Sequence, residues 1–282
     1  MKTTPGQARM FVLIDAAASP SQVHPLLVKS GTEFQSVYAG MPEDELGPAA
    51  LFLARIDDPS ADWVTELDRI DLQWPCLSLL WSRVELSELA KHLQAFLIVD
   101  IGDGMNAFLR YFDPRNFGAV LDIWGGEIRR IFMGPIERVM YRGRHAQWQR
   151  VENDTSAGLR LCKSIVVRLS QAEIDTLAAH SEPDEIMAVL VEKKLIDEAQ
   201  PYLTRHGDFL PRYQRALQWG LVQPACRLNF CRHTYLHGRD FDRHPSIEHV
   251  LLARSSSGDS YLSAMKRVPD YVWDELKRGA DQ

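Results

Sequence analysis

The sequence predicts an α+β protein in which an N-terminal α/β lobe with a mixed sheet is followed by a mostly α-helical C-terminal lobe. Short apolar runs separated by turn residues fill the first half, whereas apolar residues at helical spacing fill the second. A polar stretch without any period lies between them. At 282 residues the chain also exceeds the usual size of one compact domain. We therefore expect an N-terminal lobe over residues 8–142, a polar connection over 143–162 and a mainly helical lobe over 163–282.

The first elements follow from the order of apolar runs and turn residues. The run "MFVLIDAA" predicts a buried strand, and "SQVHPLLVKSG" predicts a short helix closed by Gly31. "FQSVYAG" indicates an extended segment, and the apolar run Ala50–Ile56 indicates a further strand. The lobe therefore begins with a strand and a helix, and more strands follow.

A hairpin is the strongest local prediction in this lobe. "PCLSLLWS" first indicates another strand, and Leu86–Leu97 has the apolar spacing of an amphipathic helix. The apolar runs "FLIVDI" and "MNAFLRYFD" then flank Gly102-Asp103-Gly104. Asp-Gly supplies the positive φ angles of a tight turn, so we expect two antiparallel strands here rather than a phosphate-binding loop.

Helical patterns dominate the remainder of the chain. After a strand in "KSIVVRLS", Ser170 with Glu173 forms a capping box that predicts a helix to about Ala179. Ser181 with Pro183 predicts the start of a second helix, because proline is tolerated at the first helical position. Later helices are predicted within "DFLPRYQRALQWG", "QPACRLNFCRHTYLHG" and "PSIEHVLLARSSSGDSYLSAMKRV".

Composition bounds the function classes. The formal net charge of −6 and the pI near 5.9 disfavour nucleic acid as a partner, which requires clustered basic residues. The apolar run Met10–Ala18 is interrupted by Asp15, and no stretch is long enough for a membrane span. The four cysteines are few and widely spread, as expected in a reducing compartment. We expect a cytoplasmic protein that binds neither nucleic acid nor membrane.

One cluster of thiols and imidazoles could hold a metal. Cys226, Cys231, His233 and His237 carry the donors that Zn²⁺ prefers, but their segment indicates one continuous helix. Cys226, His233 and His237 share a face of this helix, whereas Cys231 points away. Packing of a helix against a core is the favoured interpretation, and a three-ligand metal site is the alternative. We expect no cofactor.

The segment "RYFDPRNF" carries two arginines around an aspartate. With strict strand alternation, Arg110 shares a face with Phe108 and Phe112, where its guanidinium can stack on the rings or bond to Asp113. A structural lock at the strand end is favoured over a partner-binding site. The chain lacks the nucleophile-elbow, zinc-helix and Walker motifs of common enzyme classes, and we predict that it is not an enzyme.

Four segments resemble one family in the same order. They are "FVLIDAA", "PLLVKSGTEFQSVYAGMPEDELGPAALFLARID", "HLQAFLIVDIGDGMNAFLRYFDPRNF" and "FMGPIE", over roughly residues 10–140. This pattern is similar to the domain of unknown function found in type VI secretion adaptor chaperones. The family-motif residues, whether structural or partner-binding, are Arg110, Tyr111, Asp113, Pro114, Arg115, Gly134 and Pro135.

The resemblance implies a chaperone that binds an effector protein and docks it onto the VgrG spike without catalysing a reaction. Two alternatives from other classes are a metal-dependent hydrolase that uses Cys226, His233 and His237, and a structural subunit of the secretion apparatus. The resemblance also implies that the C-terminal lobe varies with the effector.

Overall fold

The computed structural model describes residues 7–153 and 160–280. The chain is an α+β protein, as predicted, and it divides into two compact units, Met1–Ser181 and Glu182–Gln282. In the described part of the chain, no helix is both long and apolar enough to cross a membrane. The division falls later than the predicted connection over residues 143–162, of which 154–159 lie outside the described residues.

A six-stranded antiparallel sheet organises the first unit, with strand order β2-β3-β1-β4-β7-β8. A second, three-stranded sheet has the order β6-β5-β9, in which β9 is parallel to β5 and β6 is antiparallel. Only the smaller sheet is therefore mixed. The strands are β1 (Arg9–Asp15), β2 (Phe34–Ser36), β3 (Leu51–Ile56), β4 (Leu77–Ser82), β5 (Ile98–Asp100), β6 (Asn106–Phe108), β7 (Ile136–Tyr141), β8 (Gln149–Glu152) and β9 (Val167–Arg168).

Strand β1 occupies the middle of the larger sheet and is buried on both faces. Residues Phe11 to Ile14 are at most 2% exposed, which explains why this run is continuously apolar rather than alternating. Its register pairs Val12 with Ala54 of β3 and with Leu79 of β4. The helices of this unit are α1 (Pro20–Ser30), α2 (Asp62–Gln73), α3 (Leu86–Gln94), α4 (Phe117–Phe132) and the first turns of α5 (Gln171–Glu192).

An aromatic core lies beneath α4. Phe96, Tyr111, Trp124 and Phe132 are almost fully buried, and the ring centroids of Phe96 and Phe132 are 5.1 Å apart in an edge-to-face arrangement. Close to this core, His92 is completely buried on α3. Its Nε2 lies 2.7 Å from the carbonyl oxygen of Phe132, and its Nδ1 accepts the N–H of Cys162 at 3.0 Å.

The described residues of the second unit form helices joined by turns, and no strand occurs among them. A compact core contains Phe230, Phe241, Ile247, Leu251 and Tyr261, each at most 1% exposed. Its helices, after the last turns of α5, are α6 (Tyr202–Gln218), α7 (Pro224–Leu236), α8 (Pro245–Ser257), α9 (Tyr261–Met265) and α10 (Asp270–Ala280).

The predicted break between Ala179 and Pro183 was wrong, because α5 continues through both positions. Hydrogen bonds to buried carboxylates on either side of the proline hold this turn. The hydroxyl of Tyr213 donates to Glu182, and that of Tyr202 donates to Asp184. The capping box at the start of α5 is confirmed, since the Ser170 N–H donates to Glu173 at 2.7 Å.

The hairpin around Gly102-Asp103-Gly104 is confirmed, and all three residues have positive φ. Its second strand is shorter than predicted. Strand β6 ends at Phe108, and residues from Tyr111 to Asp113 form turns that lead into α4. The alternation expected for Arg110 therefore does not apply, because the chain bends in order to begin a helix.

Candidate functional site

The antiparallel order of the larger sheet brings the end of β1, the start of β4 and the end of β7 together. Ile14 near the end of β1 pairs with Leu77 at the start of β4, and Ser78 of β4 pairs with Tyr141 at the end of β7. The N–H of Asp15 donates to the carbonyl of Cys76 at 2.8 Å. Asp15 therefore lies at one end of this sheet, and the turn between β6 and α4 brings Arg110 against it, with Nη2 of Arg110 2.6 Å from Oδ2 of Asp15. We call Asp15, Arg110, Asp113 and Arg115 the sheet-end cluster.

Asp113 forms a closed ion pair with Arg115. The guanidinium of Arg115 donates to both carboxylate oxygens, with Nε at 2.9 Å from Oδ1 and Nη2 at 2.7 Å from Oδ2. The backbone N–H of Arg115 adds a third bond to Oδ1 at 3.0 Å. Burial of Asp113 favours its neutral form, but the charge and hydrogen bonds of Arg115 outweigh it and hold the pKa of Asp113 below its ordinary value. The lock forms with Arg115 rather than with Arg110.

Arg110 bonds to a different carboxylate, that of Asp15. Its Nη2 lies 2.6 Å from Oδ2 of Asp15 and 3.9 Å from Oδ2 of Asp113. The guanidinium carbon is 5.7 Å from the centre of the Phe112 ring, so the expected stacking on an aromatic ring is also present. The Arg110 side chain is 52% exposed, whereas that of Asp15 is 7% exposed. The cluster therefore presents a cation to solvent and keeps its carboxylates inside.

Tyr111 and Pro114 hold the turn before α4 in place. The Tyr111 ring is fully buried, and its hydroxyl donates to the carbonyl of Leu93 at 2.8 Å. Pro114 lies against Gly143, where an added Cβ would come within 2.4 Å of the Pro114 carbonyl oxygen. Gly143 also has a φ of 57°, so a side chain there is disfavoured twice. The turn before α4 is thus fixed against the segment after β7.

Several charged residues of this sheet end were not identified from the sequence. Asp71 accepts two hydrogen bonds from Arg142, at 2.6 and 2.9 Å, and also accepts the N–H groups of Cys76 and Leu77. Arg144 donates to the carbonyl of Arg115 at 3.1 Å. Asp71 belongs to α2, and Arg142 and Arg144 follow β7. Neither element was predicted from the sequence, so no pattern placed these residues at the sheet end.

Gly134 and Pro135 lie at the opposite end of the sheet. The hydroxyl of Ser82, at the end of β4, donates to the carbonyl of Pro135 at 2.6 Å. A Cβ added at Gly134 would come within 2.6 Å of the carbonyl oxygen of Arg160. The seven family-motif residues therefore do not form one site, and this pair fixes the connection between α4 and β7.

The cysteine and histidine cluster packs instead of forming a metal site. Nδ1 of His233 lies 2.7 Å from the hydroxyl of Tyr261, and burial lowers the pKa of His233 to about 4. Burial also raises the pKa of the Cys231 thiol to about 12. The His237 ring packs 4.7 Å from that of Trp273. Within residues 7–153 and 160–280 no group of three or more His, Cys, Asp or Glu side chains is placed to hold a metal ion, so the site required by the hydrolase alternative is not formed there by Cys226, His233 and His237.

Comparison with known proteins finds a match to one family model. No curated protein and no solved structure matches the chain. A family match covers less than half of the chain and lies within the residues for which the motifs indicated a resemblance. It includes the whole sheet-end cluster and ends before Gly134. Residues 10–130 match the model of DUF4123, a domain of unknown function that is known as a type VI secretion effector-associated domain.

Proposed function

We propose that the chain is a cytoplasmic adaptor that binds a type VI secretion effector and loads it onto the VgrG spike protein without catalysing a reaction. The observation that carries this proposal is the DUF4123 match over residues 10–130. The family is associated with type VI secretion effector adaptors. The loading role and the spike as second partner go beyond that association and are part of the proposal.

The chemistry of the sheet-end cluster supports a binding role. Both of its carboxylates accept hydrogen bonds from guanidinium groups, Asp15 from Arg110 and Asp113 from Arg115. A general base must lie within reach of the proton that it abstracts, and in this cluster both carboxylates are buried and hydrogen-bonded to guanidinium groups. The half-exposed guanidinium of Arg110 is instead suited to charge-assisted contact with an acidic partner group.

The experiment is co-expression of the full chain with the effector encoded beside its gene and with the spike protein. We expect a stable complex of chain and effector that survives size-exclusion chromatography and then binds the spike. In secreting cells, we expect the chain to stay in the cytosol.

Three results would overturn the proposal. Recovery of the chain among secreted proteins in amounts matching the spike would indicate a structural subunit of the apparatus. A stoichiometric metal in the purified chain, together with hydrolytic activity that a chelator removes, would indicate the hydrolase alternative. Absence of any complex with the effector would also contradict the adaptor role.

A further inference from the structure

Strand β6 is an edge of the smaller sheet. It pairs with β5 on one side, with Ile98 opposite Phe108, Val99 opposite Ala107 and Asp100 opposite Asn106. No other described strand pairs with it. The edge is short, but backbone hydrogen bonds across the hairpin continue at Met105 and Leu109 on either side of it.

The register shows which backbone groups point outward. The N–H of Leu109 donates to Leu97 at 2.7 Å, and that of Ile101 donates to Met105 at 3.0 Å. Because hydrogen-bonded pairs alternate along an antiparallel ladder, Ala107 also faces β5. The N–H and C=O groups of Asn106 and Phe108 therefore point away from the sheet, and no residue in the described part of the chain bonds to them.

Strand β8 is an edge of the larger sheet, and unlike β6 it is protected against the addition of another strand. In β8 the outward backbone groups belong to Arg150 and Glu152, whose charged side chains are exposed. Charges on an edge strand discourage the addition of another strand. The segment from Met105 to Leu109 carries no charge.

Three apolar side chains in or next to this sheet are exposed. Met105 in the hairpin turn is 54% exposed, Ile98 on β5 is 39% exposed, and Val166 just before β9 is 75% exposed. Two residues beyond β6 lies Arg110, the exposed cation of the sheet-end cluster. An unpaired edge, apolar surface and a nearby cation are the features that an added strand recognises.

We propose that β6 receives an extended segment of the effector as an additional strand. The segment would be apolar at alternate positions, would bond through its backbone to Asn106 and Phe108, and would place an acidic residue at Arg110. That the added strand comes from the effector rests on the proposed function. That β6 can accept an added strand rests only on its unpaired backbone groups. The exposed guanidinium of Arg110 favours an occupant with an acidic residue at this point, and the segment from Met105 to Leu109 of a second copy contains none.

The edge is tested first with a synthetic eight-residue peptide of alternating valine and threonine that carries glutamate at one end. We expect saturable binding to the full chain and slower amide hydrogen exchange at Asn106 and Phe108. Replacing the glutamate by lysine should weaken binding about tenfold. No binding, or binding without protection of these two amides, would overturn the inference whatever the role of the protein.

The decisive variant is Asn106→Pro, with Arg150→Pro as its matched control on the other edge. Each removes an N–H that points outward, so neither breaks a bond within its sheet, and edge strands tolerate proline. We expect Asn106→Pro to weaken binding of the peptide and of the effector at least about tenfold, and Arg150→Pro to leave both unchanged. Equal effects of the two variants would contradict the assignment to β6.

The effector complex separates this inference from the proposed function. If the complex forms but Asn106 and Phe108 exchange as in the free chain, the adaptor role stands and the strand addition does not. If no complex forms while the peptide binds as expected, the adaptor role fails and the edge remains a strand receptor. Protection of both amides in a dimer of the chain alone would assign the edge to a second copy and overturn the inference.

Discussion

The Nη2 atom of Arg115 lies 2.7 Å from Oδ2 of Asp113, and this contact closes a ring of three hydrogen bonds around a buried carboxylate. Because the side chain of Asp113 is only 5% exposed, an alanine at this position removes all three bonds and leaves a space that little water reaches.

We therefore predict that Asp113→Ala lowers the free energy of unfolding by about 1–3 kcal/mol. Urea unfolding of the full chain measures the change. The control is Asp122→Ala, which removes an exposed aspartate from α4 and should change stability by less than about 0.5 kcal/mol. Unchanged stability of Asp113→Ala together with lost effector binding would assign the ion pair to partner recognition instead.

Buried His92 predicts a loss of stability in mild acid. Burial lowers its pKa from 6.5 to about 4, so the folded chain keeps the ring neutral while the unfolded chain takes up a proton near pH 6.5. Its contribution is complete above pH 6.5 and declines as the pH falls toward 4, by about 3 kcal/mol in total.

The measurement is the slope of unfolding free energy against pH for the wild type and for His92→Gln. Between pH 6.5 and 4, unfolding of the wild type should take up about one proton more than unfolding of His92→Gln. The slope of unfolding free energy against pH should therefore be smaller for the variant, whatever its stability at neutral pH. Parallel curves for wild type and His92→Gln would show that the ring does not titrate in this way.

Gly134 is expected to tolerate no side chain. A Cβ there would meet the carbonyl oxygens of Arg160 at 2.6 Å and of Ile131 at 3.0 Å, both on backbone that cannot rotate away. We predict that Gly134→Ala lowers stability by about 1–3 kcal/mol. Gly126→Ala is the matched control, because no atom lies within 4 Å of its added Cβ and alanine favours the helix. Thermal unfolding that shows equal midpoints for the two variants would contradict this role for Gly134.

Division of labour between the units is a prediction of the adaptor role. We expect the residues after 163 to carry most of the effector selectivity, because side chains on packed helices can change without disturbing backbone hydrogen bonds. A chimera should join residues 1–170 of this chain to the C-terminal part of a related adaptor, since β9 pairs with β5 in the first unit. We expect it to bind the donor's effector in a pull-down. Binding of this chain's own effector instead would locate selectivity in the first unit.

Sequence patterns predicted those strands and helices whose buried residues are continuously apolar or recur at a regular spacing. The strand over Arg9–Asp15 and the helix over Leu86–Gln94 have uninterrupted or periodic apolar residues, and both were predicted. Helix α2 was missed because one of its three buried residues is the charged Asp71. Helix α4 was missed because Gly125, with a φ of 60°, kinks it at its centre. In both cases tertiary contacts supply what local propensity does not.

Only the part of the candidate site that lies in one continuous segment could be predicted from the sequence. The segment from Arg110 to Arg115 stood out because charges around an Asp-Pro turn are unusual beside aromatic residues. Its partner Asp15 lies 95 positions earlier and looked like an interruption of an apolar run. Such a pair depends on how the turn after β6 packs against the end of the larger sheet, and the spacing along one segment does not encode that packing.

The parallel pairing of β9 with β5 has a consequence for synthesis of the chain. Val167 pairs with Val99, so β5 must wait for residues made 68 positions later before its second edge is covered. At about 5–20 residues per second, a ribosome leaves that edge open for roughly 3–14 seconds. Nascent chains translated side by side on one messenger therefore pass through an interval in which both sides of the hairpin can recruit a foreign strand, and early arrival of a binding segment or a chaperone would shorten it.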